Sequence, residues 1–221
     1  MNREETTKNR ILAAAGPIFA RRGFQQATVR EICDAANVNL ASINYYFGDK
    51  QQLYIDSVIL AREQRAQQFP FPSWSDDTLP EVKLRTFVGM LLKRVVVMQT
   101  IPWQVQLLMR EILNPTEACR QLVEDYFRPI FDRLLRIVDE LTVEPLPQLR
   151  RTQIGFSIIG QCLNYRFSAG VISLMVQEDQ REECFDWDEL TNHITEFSLA
   201  AIRNLDAPSA LDSLPKATKT Y

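Results

Sequence analysis

The sequence is dominated by helical periodicity. Apolar residues recur at helical spacing along nearly the whole chain, and no stretch shows the alternation of a half-buried strand. Seven glycines in 221 residues leave few interruptions, so long helices are favoured. The pattern predicts an all-α protein.

The composition excludes several classes of protein. No apolar run reaches the roughly 18 residues of a membrane span, and the N-terminus lacks the apolar stretch of a signal peptide. We therefore expect a cytoplasmic protein that does not bind membranes.

The first 50 residues carry seven Lys or Arg and five Asp or Glu, a net +2, whereas the remainder carries −5. This asymmetry agrees with a small DNA-contacting domain on an acidic body.

Cysteine and histidine usage argues against a metal site, a cofactor and an enzyme. Cys33, Cys119, Cys162 and Cys184 lie far apart, which predicts buried thiols rather than disulfides or zinc ligands. The single histidine, His193, is expected at a surface or interface, with a catalytic base as the alternative. No nucleophile elbow and no glycine-rich phosphate loop is present.

Local signals predict the first helices. The first spans about Thr7 to Arg22, and Gly23 ends it. The second begins at Thr28, which forms a capping box with Glu31.

A third, short helix begins after Asn39 and ends at Gly48. Asp49 then starts a long fourth helix that reaches about Gln68. Further helices are predicted at about 80–98, 102–113, 115–141 (started by Asn114-Pro115 and kinked or split by Pro129), 148–176 and 187–205.

The second and third predicted helices are short and joined by a tight turn, and the longer first helix supports them. This arrangement is a helix-turn-helix. In the third helix, Ile43 and Phe47 fall on the inner side. Ala41, Ser42 and Tyr45 fall on the outer side, with Asn44 and Tyr46 at the flanks and Leu40 near the boundary. This outer face suits base edges in the major groove, and ordinary packing of the two tyrosines is the alternative.

The stretch Ile11–Leu53 resembles the DNA-binding domain of the TetR family. The resemblance is carried by Ile11-Leu12-Ala13-Ala14-Ala15, Arg22-Gly23-Phe24, Thr28-Val29-Arg30-Glu31-Ile32, Ala36-Asn37-Val38 and Ser42-Ile43-Asn44-Tyr45-Tyr46-Phe47-Gly48-Asp49-Lys50. It implies DNA contacts at Thr28, Arg30, Leu40, Ala41, Ser42, Asn44, Tyr45, Tyr46 and Lys50. Asn37 departs from the family's usual glycine, but asparagine tolerates the left-handed conformation that the turn requires.

The C-terminal part is similar to that of the CecR (YbiH) type of TetR regulator. The similarity rests on Met109–Ala118, Arg128-Pro129-Ile130 and Ile159–Tyr165, and it implies control of exporter or drug-tolerance genes. The predicted organisation is a helix-turn-helix domain over 1–50, a helical effector-binding and dimerisation domain over 51–206 and a flexible tail over 207–221.

A regulator of this family requires an effector pocket between helices. The candidates are Trp103, Leu107, Arg110, Phe127, Phe131, Gln161 and Tyr165. Several have structural alternatives. Gln161 either binds a ligand or ties helices together, Arg110 either clamps a ligand or makes an ion pair or helix-end contact, and the two phenylalanines are core residues by default.

Homodimerisation is expected because one helix-turn-helix reads too few bases. The predicted interface pairs a stripe on the penultimate long helix with small residues on the last. It comprises Phe156, Ile159, Leu163, Phe197, Ala200 and Ala201, and burial within one protomer is the alternative. The hypothesis is a repressor that a small-molecule effector releases from operator DNA. A helical adaptor that does not bind DNA is the competing hypothesis.

Overall fold

The computed structural model describes residues 3–95 and 102–205, and within these ranges the chain forms twelve α-helices and no strand. The helices are α1 (Arg3–Gln26), α2 (Val29–Ala36), α3 (Leu40–Phe47), α4 (Lys50–Gln68), α5 (Pro80–Val95), α6 (Trp103–Leu113), α7 (Glu117–Leu122), α8 (Arg128–Leu141), α9 (Gln148–Phe167), α10 (Ala169–Met175), α11 (Arg181–Cys184) and α12 (Trp187–Arg203). A π-helical segment, Val123–Phe127, joins α7 to α8, and a 3-10 turn, Glu178–Gln180, precedes α11. The all-α prediction is confirmed. The predicted tail and the end of the helix predicted over 80–98 lie outside the described residues.

The boundaries at Gly23 and Thr28 follow the predicted signals, with two differences: α1 begins at Arg3 rather than at about Thr7, and the capping box of α2 is incomplete. Gly23 takes φ +73 and breaks α1 near its end, a conformation that glycine adopts without strain. Thr28 caps α2 by accepting a hydrogen bond from the backbone N–H of Glu31 at 3.2 Å. The Glu31 carboxylate does not complete the capping box; it accepts a 2.9 Å hydrogen bond from Nε of Arg22 instead. Arg22 of α1 therefore stabilises the start of α2.

The turn around α3 is built as predicted. Asn37 adopts the left-handed conformation at φ 49, ψ 56. Asn39 Oδ1 accepts the backbone N–H of Ser42 at 2.9 Å, which caps α3. Gly48 ends the helix at φ 77, and Asp49 caps α4 through a 2.8 Å bond from the backbone N–H of Gln52.

Three predictions in the second half need correction or refinement. The helix predicted to start at Asn114-Pro115 begins at Glu117, because the Thr116 hydroxyl accepts the backbone N–H of Ala118 and supplies the cap. Pro129 splits its helix as predicted: a π-helical turn immediately precedes α8, where proline supplies no N–H for the regular ladder. The helix predicted over 148–176 is divided at Ser168 into α9 and α10.

Two hydrophobic clusters hold the described part of the chain together. The first draws on α1 to α4, and also on Leu107 and Leu108 of α6 and on α7. The second packs α5, α8, α9 and α12 around residues such as Leu92 and Leu134. We refer to the unit formed by α1 to α3 as the head and to the remaining helices as the body. Helix α6 belongs to the core that supports the head, although it lies some 50 residues beyond it in sequence.

Candidate functional site

Helix α3 presents one face to solvent and buries the other. Ile43 is fully buried and Phe47 is 4% exposed, both within the first cluster. On the opposite side Tyr45 is 72% exposed and Leu40 is 56% exposed. The predicted orientation of the helix is therefore confirmed, and its outer face is open for contact with a large partner.

The nine residues predicted to contact DNA all retain accessible surface. Six are exposed and three are half-buried. Ser42 is held by Asn39, since its hydroxyl donates to Asn39 Oδ1 at 3.0 Å. Tyr46 packs edge-on against Tyr45 with ring centroids 4.9 Å apart, and it also touches the first cluster. The packing alternative therefore describes Tyr46, and its contact with DNA stays a prediction.

Lys50 is fixed at the start of α4 by two contacts with the end of α1. Its Nζ donates to the carbonyl oxygen of Gln25 at 3.4 Å and lies 4.8 Å from the ring centroid of Phe24. This places a cation beside the N-terminus of α4, where helix dipole and charge together favour an anion such as phosphate. Arg30 is exposed on α2, and Arg10 of α1 donates to the carbonyl oxygen of Asn37 at 3.3 Å. The sequence analysis did not single out Arg10, whose position at the turn emerges only from tertiary packing.

The body contains a cavity of about 610 Å³ between α4, α5, α6, α8 and α9. Its lining is mainly aliphatic and aromatic. Of the seven predicted pocket residues, Phe127 and Phe131 line this cavity.

The other five predicted pocket residues do not line this cavity. Three belong to α6 and face the head. The Trp103 indole packs so closely on Gly16 that a Cβ added there would lie 2.4 Å from the ring. Leu107 is fully buried in the first cluster. Arg110 donates to the carbonyl oxygens of Ala20 and Arg21 at 2.6 Å each, which is the helix-end contact considered above.

The remaining two predicted pocket residues bind helices together. The Gln161 amide donates weakly to the hydroxyl of Ser198 on α12 at 3.5 Å, which is the structural alternative. Tyr165 packs edge-on against Phe185, with ring centroids 6.4 Å apart. Helix α6 has two buried faces, and its apolar pattern gives no sequence signal for which face meets which neighbour.

Two arginines that the sequence analysis missed are buried in the wall of the cavity. Arg65 of α4 donates to the carbonyl oxygens of Lys93 and Arg94 at 3.1 and 2.7 Å. Arg94 of α5 in turn donates from Nε to the carbonyl oxygen of Phe69 at 2.9 Å and from Nη1 to the hydroxyl of Tyr126 at 3.2 Å. Each guanidinium thus binds backbone carbonyl oxygens in the last described turn of the other helix or directly after it, a contact that the helix dipole favours. Burial lowers the pKa of both side chains below the ordinary arginine value, yet arginine remains charged at neutral pH.

The predicted dimer stripe is partly exposed. Phe156 and Phe197 are each 61% exposed, and Ala200 and Ala201 are exposed beside Phe197. Phe156 stacks on Phe131, with ring centroids 4.6 Å apart. Ile159 and Leu163 are half-buried, and like Phe156 they line the cavity. Their place on the dimer face stays a prediction.

Two further features concern the described residues alone. No group of three or more His, Cys, Asp or Glu among them could hold a metal ion. None of their helices has the length and hydropathy needed to cross a bilayer. His193 is exposed, with its ring centroid 6.3 Å from that of Phe197.

A capped helix-turn-helix with an exposed reading face, mounted on a helical body, defines a helix-turn-helix transcriptional regulator. Family models support this class and refine it. Residues 11–56 match the model described as bacterial regulatory proteins, tetR family. Residues 80–202 match the C-terminal domain of the HTH-type transcriptional dual regulator CecR. The chain belongs to the TetR family of transcriptional regulators, with a CecR-type C-terminal domain.

One relative agrees with this assignment in sequence, and two solved structures share the fold. The chain is 28% identical over 181 residues to the HTH-type transcriptional dual regulator CecR of Shigella flexneri, covering 77% of this chain and 80% of that protein. The fold is similar to that of HlyIIR, a hemolysin II transcriptional regulator, with a TM-score of 0.57 at 21% identity, covering 88% and 97% of the two chains. A TetR-like transcriptional regulator from Rhodococcus sp. RHA1 gives a TM-score of 0.60 at 13% identity, covering 89% and 96%.

Proposed function

We propose that this chain is a cytoplasmic, homodimeric repressor whose α3 reads operator DNA and whose release is triggered by a small-molecule effector. The observation that carries the proposal is the exposed face of α3, held by the buried anchors Ile43 and Phe47. Seating such a helix in the major groove leaves its anchors in the core. We retain the proposed division into a DNA-binding domain over 1–50 and an effector-binding and dimerisation domain over 51–206.

The proposed DNA contacts divide by chemistry. Asn44 and Tyr45, on the open face of α3, are positioned to meet base edges. Thr28, Arg30 and Lys50 lie at helix starts or on α2, where a hydroxyl or cation suits phosphate oxygens. The first group would set sequence preference, and the second would set affinity and its dependence on salt.

Dimerisation would supply the two reading helices that an operator requires. Two heads must reach major-groove faces about 34 Å apart or a multiple of a helical turn. Phe156, Phe197, Ala200 and Ala201 offer exposed apolar surface on α9 and α12 for a symmetric contact. We propose that these two helices pair with their copies in the partner subunit, as in a four-helix arrangement.

Release requires an effector that binds the two states of the dimer with different affinity. Helix α4 joins head to body, and its Arg65 lines the cavity, so occupancy of the cavity would bear directly on α4. Linkage then requires that operator DNA weaken effector binding by the same factor as effector weakens operator binding.

Fluorescence anisotropy with labelled DNA from upstream of the protein's own gene tests DNA binding. We expect Arg30→Ala to reduce affinity and to lower the salt slope by about one unit, because one phosphate contact is lost. Arg136→Ala is the matched control, since Arg136 is exposed on α8, away from the head. Equal affinity and slope for both variants would contradict the proposed interface.

Because the CecR relative is named a dual regulator, a reporter assay should register activation as well as repression.

A further inference from the structure

The cavity holds two buried cations without an acidic partner. Arg65 and Arg94 each line the cavity and are each 4% exposed. Within the described residues neither guanidinium forms an ion pair with a carboxylate; all the oxygens they bind are neutral. The segment 96–101, which follows α5 in sequence, contains no Asp or Glu. No acid from this adjacent segment can therefore balance the pair.

Arg65 also has unused hydrogen-bonding capacity. Its two terminal nitrogens donate to backbone and side-chain oxygens, but its buried Nε has no hydrogen-bond partner. A buried donor without a partner is costly, and a buried charge without a counter-ion is more so. Helix C-termini offset part of the cost through their dipoles. An anion in the cavity would offset the rest.

The rest of the lining defines the body of the ligand. Leu91, Met109, Ile112 and Phe131 present apolar surface around the space. Asp132 is the one acid among the described residues that line it, and its side chain is exposed, so water screens its charge. The cavity therefore combines an apolar wall with a cationic part.

We propose that the effector is an amphipathic anion, an aromatic or aliphatic body carrying a carboxylate or sulfonate that binds Arg65 and Arg94. This inference rests on the proposed effector-binding function and adds the chemical class of the effector. Planar guanidinium groups match the two oxygens of such an acid group. An acid group bound there competes with the Lys93 and Phe69 carbonyl oxygens, and so loosens the reciprocal contact between α4 and α5.

Two fluorescent probes that differ in charge test the proposal on the full-length protein. 1-Anilinonaphthalene-8-sulfonate carries an acid group, and N-phenyl-1-naphthylamine has nearly the same aromatic body without it. We expect the sulfonate to bind about tenfold or more tightly, at one site per protomer, because a hydrogen bond to a charged group contributes on that scale. Equal affinity for the two probes, or tighter binding of the neutral one, would overturn the proposal.

Variants locate the site. Arg65→Gln should remove most of the preference for the sulfonate while leaving the neutral probe bound, and Arg65→Lys should retain part of it. Arg136→Gln, on the exposed side of α8, is the matched control and should change neither affinity. Met109→Trp fills the cavity and should weaken both probes. Persistence of sulfonate binding in Met109→Trp would place the probe elsewhere and reject the assignment. Should Arg65→Gln fail to fold, as judged by circular dichroism, the Arg65→Lys and Met109→Trp variants still test whether the sulfonate binds in the cavity.

Failure of this inference can be separated from failure of the proposed function. Probe binding is measured without DNA, and release of operator DNA by the sulfonate is measured in a second titration. Preferential sulfonate binding without release supports the ligand class and counts against this route to release. Release by the neutral probe with no preference for the sulfonate supports effector control and rejects the anionic class.

Discussion

Arg110 of α6 binds the end of α1 through hydrogen bonds, and its replacement should destabilise the packing that supports the head. Nε and Nη2 donate to the carbonyl oxygens of Ala20 and Arg21, both at 2.6 Å. Both acceptors lie in the last turn before the break at Gly23, where helix carbonyls lack partners within the helix. The guanidinium therefore supplies a cap that α1 does not provide for itself.

The two hydrogen bonds are unequal in value. The bond to Ala20 is partly buried, against a residue with no exposed surface, and a hydrogen bond from a charged donor is then worth about 1.5–3 kcal/mol. The bond to Arg21 is exposed, and water replaces it at a cost of about 0.5 kcal/mol. We expect Arg110→Ala to lower the free energy of unfolding by about 2–3 kcal/mol and Tm by about 4–12 °C for a chain of this length.

Urea denaturation of Arg110→Ala and Arg110→Lys measures this effect. Lysine keeps the charge but not the planar pair of donors, so it should recover about half of the loss. Arg136→Ala, exposed on α8, controls for removal of a positive charge. A loss below about 0.5 kcal/mol for Arg110→Ala, the usual range for surface substitutions, would refute the capping role. Full stability of Arg110→Lys would refute the part assigned to the paired donors.

Three further perturbations test the packing, a buried thiol and the dimer. Gly16→Ala should destabilise by about 1–2 kcal/mol despite the better helix propensity of alanine, because the added Cβ overlaps the indole of α6. Gly170→Ala in α10, with open space around it, should instead be neutral or stabilising by up to about 1 kcal/mol in thermal denaturation. Burial raises the pKa of the Cys162 thiol from 9.0 to about 12, so the folded state holds this proton longer than the unfolded chain and stability falls as pH rises from 9 to 12. Wild type should accordingly lose about 1 kcal/mol relative to Cys162→Ala between pH 8 and pH 10 in urea titrations, and an unchanged difference would contradict it. Phe197→Asp should shift sedimentation velocity toward the monomer, while Leu79→Asp, at an equally exposed apolar position, should not; identical profiles would remove α12 from the interface.

Local signals account for what the sequence predicted well. Asn39, Gly48 and Asp49 act on backbone groups within three or four residues of themselves, so their roles can be assigned without knowing the tertiary structure. The inward direction of Ile43 and Phe47 follows from periodicity alone, because α3 has one buried face. These features fixed the fold class and the orientation of the reading helix in advance.

The cavity could not be predicted as well, because its walls depend on long-range packing. Helix α6 buries one face against α1 and another against the cavity, so Leu107 and Met109 show the same apolar character and reach different places. Arg65 and Arg94 read as solvated charges on amphipathic helices. One signal was available: each lies in the last turn of its helix, where a cation favours exposed carbonyl groups. That signal predicts a helix cap, but it does not predict that the two caps are reciprocal or that they border a cavity.

The packing of α6 would give the proposed effector control a short physical route. Leu108 is 6% exposed, belongs to the cluster that supports the head and also lines the cavity. A ligand in the cavity would therefore contact a residue of the head's own supporting core, while the neighbouring Leu107 and Arg110 hold α1. Because packed cores change between discrete arrangements rather than deforming continuously, a shift of α6 by even a fraction of a turn cannot be absorbed at Leu108 alone. Such a shift would move α1 or open a void against it, and under the proposed function a movement of α1 would change the angle at which α3 meets DNA.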